Sequence, residues 1–124
     1  MCQMLLSINP CFVKGILNGE KLYEYRKFRC REDVEKIIIY ATSPEKKVVG
    51  EAFVSEIIEG SVADVWDRTK EHSGVSEKLY FEYYYGKSKA IAYKLKKVIK
   101  YDTPLKLEDL GVKRAPQSYQ YLDI

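Results

Sequence analysis

The sequence predicts an α+β fold, a small mixed sheet or barrel with helices packed at one side. Three observations carry this. Strand and helix patterns do not alternate regularly, which argues against a doubly wound parallel sheet. The run Ile37-Ile38-Ile39-Tyr40 reads as a strand buried on both faces. From residue 60 the apolar period lengthens to that of helices, and a long strand returns at Lys89 to Tyr101. A length of 124 residues sets the unit at one domain spanning 1–124, and 46% hydrophobic with 31% charged residues excludes a mostly disordered chain.

In chain order, Met4 to Ile8 reads as a short strand, and Asn9-Pro10 as a helix entry with Asn9 as N-cap and Pro10 at the first helical position. Phe12, Val13, Ile16 and Leu17 form one helical stripe, and Gly19 stands where a glycine cap belongs. Leu22 to Phe28 reads as a strand, Cys30 to Glu35 as a loop, and Lys36 to Thr42 as a strand. Ser43 to Lys47 has turn chemistry, and Val48 to Ile58 returns as the second arm of a hairpin. Gly50 inside that arm predicts a bulge or a close backbone approach. Ser61 begins a helix carrying Val62, Val65, Trp66 and Thr69 on one face, ended by Gly74. A second helix runs from Ser76 to Tyr85 and stops at Gly86. The alternation Ile91, Tyr93, Leu95 slips near Lys96-Lys97, which predicts a bulge. Pro104 to Gly111 reads as a turn or helical piece, and the tail from Pro116 to Leu122 as a final extended segment.

No apolar run reaches the roughly 18–20 residues that span a bilayer, and no basic-then-apolar leader opens the chain. The expectation is a cytoplasmic protein with no membrane partner. Three cysteines (Cys2, Cys11, Cys30) and one histidine (His72) lack the paired spacing of a zinc site, so reduced thiols are expected and no metal or cofactor is read. Eleven of the sixteen aromatic residues are tyrosine, a ring with a polar tip that suits half-buried rims as well as cores.

A net charge of +3 says little, but its distribution says more. Residues 21–31 hold Lys21, Arg26, Lys27, Arg29 and Arg31 against Glu24, and residues 87–100 hold six lysines and no acid. Cations interleaved with tyrosines suit a phosphate-tracking surface, with Lys94 and Lys96 on one strand face. Lysines on an edge strand also serve to block aggregation.

The most specific stretch is Asn18 to Arg26. In a strand, Glu24 and Arg26 point to one face, and Lys21 lies at the turn where that face begins. Such a trio can bind a base edge, with Glu24 accepting from amino groups and Arg26 donating in a fork. It also suits acid–base chemistry, because a lysine beside an arginine has a lowered pKa. A plain ion pair between strand and helix is the structural alternative.

Gly19-x-Lys21-x-x-Glu24-x-Arg26 resembles the G-x-K-x-x-E-x-R signature of ASCH domains, members of the PUA-like superfamily. Leu6 to Pro10, Ile38 to Pro44, Val49-Gly50-Glu51 and Trp66 are similar to further family positions. Tyr83-Tyr84-Tyr85-Gly86 and Pro116-Gln117-Ser118-Tyr119 resemble a subgroup described as predicted transcriptional regulators. The resemblance implies a small mixed β-barrel with helices at its mouth and side, and a cleft that binds RNA or a nucleotide. The expected contacts are Asn9, Lys21, Glu24, Arg26, Lys94, Lys96, Gln117 and Tyr119, the last two closing the cleft. Relatives that are enzymes imply an alternative, a small hydrolase (ribonuclease or modified-cytidine amidohydrolase) using Lys21 and Glu24. On the amidohydrolase pattern Lys21 matches the family lysine, Glu24 stands where a threonine nucleophile is found, and Glu77 is nearest to the downstream glutamate.

Overall fold

The computed structural model describes residues 2–31 and 33–123. Glu32, within the expected 30–35 loop, and the side chain of Cys2 lie outside the described set. The elements are β1 (Cys2–Ile8), α1 (Pro10–Leu17), β2 (Tyr23–Arg26), β3 (Val34–Ala41), β4 (Lys47–Ser61), α2 (Val62–Thr69), α3 (Glu77–Tyr83), β5 (Lys89–Leu105) and β6 (Tyr119–Asp123). Short 3-10 turns follow α2 at Lys70–His72 and β5 at Leu107–Leu110.

The helix starts are written in local chemistry. Asn9 accepts at Oδ1 from the Cys11 amide (3.0 Å), with Pro10 at the first helical position. Ser61 and Ser76 do the same for α2 and α3 through the amides of Asp64 (3.2 Å) and Leu79 (3.1 Å). Each such cap stabilises its helix by about 1 kcal/mol.

All six strands join one sheet in the order β2-β5-β4-β3-β1-β6. Every pair is antiparallel except β1 with β3. The apolar run of β3 is buried on both faces as its composition demands. Ile37, Ile39 and Ala41 join Val13 and Ile16 of α1 in one core, while Ile38 and Tyr40 join Leu5, Val48 and Val112 in another. In β5, Ile91, Tyr93 and Leu95 face the first core, and Ala90 and Ala92 meet Trp66, Tyr80 and Tyr84 beneath α2 and α3. The slip at Lys96-Lys97 is a bulge: Lys96 pairs with Phe53 and Ile99 with Glu51, and Lys97 turns through φ 50°. Gly50 lies where a β-carbon would collide with the Ile99 carbonyl.

The expected barrel is not closed, because among the described residues no ladder joins the edge strands β2 and β6. The reason lies in the four-residue length of β2 and in what its continuation bonds to. Tyrosine hydroxyls, not a sixth strand pairing, bond the backbone at the end of β2 and just beyond it. Tyr84 donates to the Arg26 carbonyl (2.8 Å), and Tyr93 donates to the Phe28 carbonyl (2.9 Å). Tyr93 also accepts from the Cys30 amide (2.8 Å), and Tyr121 from that of Arg31 (3.2 Å). Side chains then span the gap. The Phe28 ring stacks on Tyr119 with centroids 4.1 Å apart, and the Arg31 guanidinium lies 4.0 Å from the Tyr121 centroid. Among the described residues no helix is long and apolar enough to cross a membrane.

Candidate functional site

At the end of β1, beside the edge strand β2, a cavity of about 240 Å³ opens between α1 and α3. Lys21, Glu24 and Arg26 supply its charge, and Phe12, Tyr25, Tyr80, Tyr83, Val75 and Leu79 its apolar walls. Ser7, Ile8 and Asn9 complete it from the end of β1.

The chain has to work to bury a lysine here. Gly19, at φ 87°, turns the end of α1 back toward β2. The Lys21 amide donates to the Gly15 carbonyl (2.9 Å), and the Leu22 amide to that of His72 (3.0 Å). The Lys21 stem then runs across Gly74, where a β-carbon would overlap it and where φ is +71°. Its ammonium donates to the Ser73 carbonyl (2.6 Å) and lies 4.9 Å from the Tyr25 ring centroid and 5.4 Å from that of Phe12. Lys21 is 2% exposed. Burial is the main force holding its pKa down to about 8. The nearby Arg26 charge adds to the depression, and Glu24 opposes it.

Glu24 and Arg26 share a face of β2, as their spacing requires. The Arg26 Nε (3.0 Å) and Nη2 (2.9 Å) both reach Glu24 Oε2. Nη2 also donates to the Ser7 carbonyl (2.9 Å), and Nη1 to Ser118 Oγ (3.2 Å). Every guanidinium nitrogen is therefore engaged by the protein. Arg26 aligns Glu24 and ties β1, β2 and the tail together, and its fork is not held open for a base. Glu24 Oε1 has no partner among the described residues, and no buried side-chain oxygen is left unsatisfied, so this oxygen is open to the cavity. Tyr25 donates to Thr69 Oγ1 (2.6 Å), and burial pushes its pKa up to about 12, so it stays a neutral wall.

Of the residues singled out from sequence, Asn9, Lys21, Glu24 and Arg26 meet at this cavity, and four others do not. Lys94 is half-buried opposite Tyr23 and Glu56, and Lys96 is exposed opposite Phe53, both on β5 away from the lining. Gln117 is exposed, and Tyr119 is spent on Phe28 and on the edge of Tyr121 (5.4 Å). The tail reaches the site through Ser118 instead, latched by the Ser7 amide to its carbonyl (3.0 Å) and by Ser7 Oγ to the Pro116 carbonyl (2.6 Å). Glu77 is exposed at the start of α3 and does not line the cavity. Sequence reasoning missed Ser7, Ser73 and Gly74, which act through backbone. It also passed over the cavity role of Leu79, Tyr80 and Tyr83, whose helical spacing was the available signal. Cys11 and Cys30 are free thiols, and the described residues contain no cluster of three or more His, Cys, Asp or Glu able to hold a metal.

A family model described as "Domain of unknown function (DUF365)" matches residues 11–121. An "ASCH domain-containing ribonuclease" of Zymomonas mobilis is 34% identical over 127 residues, covering 97% of this chain and 84% of that protein. The large ribosomal subunit protein uL22 of Ureaplasma parvum is 38% identical over 89 residues, or 72% of this chain, and the match spans 29% of uL22. The crystal structure of ASCH from Zymomonas mobilis superposes with a TM-score of 0.89 at 32% identity, covering 98% of this chain and 87% of that one. The chain belongs to the family of the DUF365 domain and, by fold and sequence alike, to the ASCH domain proteins.

Proposed function

We propose that this chain binds RNA or a nucleotide by taking one unpaired nucleotide into the cavity at β2. The observation that carries the reading is a buried ammonium and an aligned carboxylate, one of its oxygens free, within aromatic walls. Unpaired bases are held by stacking on rings and by hydrogen bonds to their edges. Glu24 Oε1 accepts from a base amino group, Asn9 and the Lys21 ammonium supply donors, and Arg26 fixes Glu24. Lys94, Lys96, Gln117 and Tyr119 serve as outer contacts in this reading. The unit acts as one domain over 1–124 in the cytoplasm, which its free thiols favour. A regulatory role, as in the subgroup described as predicted transcriptional regulators, rests on the Tyr83 to Gly86 and Pro116 to Tyr119 motifs.

A hydrolase reading has one specific observation behind it. With its pKa near 8, Lys21 is a neutral amine in about one molecule in ten at pH 7, far more than an ordinary lysine, which suits a general base toward a ribose hydroxyl. The relative named as a ribonuclease favours this reading. Calorimetric titration of nucleoside monophosphates into wild type and Lys21→Met tests the binding reading, with loss of affinity in the variant expected. Incubation with single-stranded RNA tests the second. Cleavage by wild type that vanishes in Lys21→Met would make the protein an enzyme, and absence of both binding and cleavage would sink both readings.

A further inference from the structure

We propose that Ser73, in the turn between α2 and α3, is the residue that positions the Lys21 amine in the cavity. What the amine then does rests on the cavity reading, which this deepens. The Lys21 ammonium is fixed by a segment 52 residues further along the chain. Ser73 is buried there, and its hydroxyl is used twice within the turn. It donates to the Val75 carbonyl (2.8 Å) and accepts from the Val75 amide (3.2 Å). A serine bonded to the backbone two residues on folds the chain into a tight turn. Gly74 completes that turn at φ +71°, where a β-carbon would overlap the Lys21 stem. The turn therefore lies directly on the lysine, with the Ser73 carbonyl aimed at its ammonium (2.6 Å). The Leu22 amide ties the turn to the start of β2 through the His72 carbonyl (3.0 Å).

The turn acts on Lys21 by covering it. The titratable and charged groups that bear on the amine are Glu24 and Arg26 of β2 and Cys11 of α1, and burial is a larger influence than any of them. Lys70, Glu71 and His72 of the turn are exposed and not among these groups. Gly15 backs the stem from α1, and the Phe12 and Tyr25 rings flank the ammonium. The turn supplies the remaining cover. Closed, it keeps the amine dry and at one point, where a ligand acceptor can meet it without reorganisation. Val75, to which the Ser73 hydroxyl bonds, is itself a cavity wall, so one hydroxyl sets both the wall and the amine.

The test reads the Lys21 amine directly, by pH titration of the lysine Cε signals in isotope-labelled protein, with Lys21 assigned by its loss in Lys21→Met. Wild type should show this lysine with a midpoint of about 8. In Ser73→Ala the turn loses its hydroxyl bonds and water reaches the ammonium. The midpoint should climb to about 9 or beyond, toward the ordinary 10.5. Ser73→Thr keeps a hydroxyl and should return the midpoint to about 8. Affinity for a nucleoside monophosphate, measured by calorimetry, should drop about 3- to 10-fold in Ser73→Ala, and its decline with pH should move up with the midpoint. A merely structural serine would lower the melting temperature of Ser73→Ala and leave the midpoint where it was, which would overturn the proposal. Two variants that titrate alike would overturn it as well. A midpoint shifted as expected, in a protein whose wild type binds no nucleotide, would keep Ser73 as the positioning residue and sink the nucleotide reading instead.

Discussion

The three charges at β2 and the lysines of β5 are similar residues in opposite circumstances. Lys21, Glu24 and Arg26 are all at most 9% exposed, and each is held by a named partner. Lys96, Lys97 and Lys100 stand in water at a bulge, and only Lys94 is half-buried. Desolvation makes the first group costly to build, strongly coupled and able to discriminate between ligands. Screening leaves the second group weak singly and indifferent to what it meets. The difference teaches where a fold can build selectivity: in the few charges it has taken out of solvent, not in the segment richest in charge.

The harshest way to break that contrast is to remove Arg26. Arg26→Ala leaves Glu24 buried without its cation and cuts the links to Ser7 and Ser118, so a stability loss of about 3–5 kcal/mol is expected. Lys96→Ala should stay within about 0.5 kcal/mol of wild type. Urea unfolding of both variants measures the gap. A small effect at Arg26 would mean that the guanidinium is not the keystone of the open side of the sheet.

Glu24 comes next. Glu24→Gln keeps the shape and removes the charge, and should cost about 1–3 kcal/mol of nucleotide affinity; Glu24→Thr should lose at least as much. Neither variant should gain turnover. Hydrolysis of an acylated cytidine or of RNA by wild type that vanished in Glu24→Gln would make the carboxylate catalytic and cancel its role as a simple acceptor.

Much of this site was legible from spacing. Glu24 and Arg26 two apart on a strand, and Lys21 on the preceding turn, converge because strand periodicity is rigid. The bulge at Lys96-Lys97 and the burial of Ile37 to Tyr40 on both faces were legible for the same reason. What spacing could not reveal was partnership across the fold. The tail contributes Ser118 and not its neighbours, and Arg26 spends its fork on the protein, because both depend on how β6 lies against β1. The open side of the sheet was hidden likewise, since it turns on tyrosine hydroxyls that reach backbone 58 and 65 residues away in sequence.

Lys21 sharpens the comparison through pH. Its folded pKa is about 8 and the ordinary value 10.5, so between these limits the unfolded chain binds more protons and stability rises with pH. The burial penalty is fully present below pH 8 and fades as pH climbs toward 10.5. From pH 7 to 9.5 wild type should gain about 2 kcal/mol that Lys21→Met does not. Above pH 10 the gain reverses, because Tyr25 and the other buried tyrosines ionise more readily in the unfolded chain. Affinity for an anionic nucleotide should fall through pH 8 as the ammonium is lost. Parallel pH curves for wild type and Lys21→Met would mean that Lys21 is not the buried cation described here.

The smallest effect is expected on β5. Lys94 and Lys96 are two apart in register, opposite Glu56 and Phe53, and neither lines the cavity. If they touch RNA they touch phosphates, and each contact contributes about 0.7 to the slope of log affinity against log salt for a single strand. Replacing both with alanine should flatten the slope by about that amount per lysine, weaken all sequences alike and leave monophosphate binding unchanged. The affinity loss at physiological salt should be smaller than that from Glu24→Gln, because screening removes most of what an exposed cation offers. Lys94 should count for less than Lys96, since the carboxylate of Glu56 stands across the ladder from it. A slope unchanged in the double variant would put this face of β5 outside the bound strand and leave its lysines the other task of an exposed basic strand, keeping the chain from pairing with its own copies.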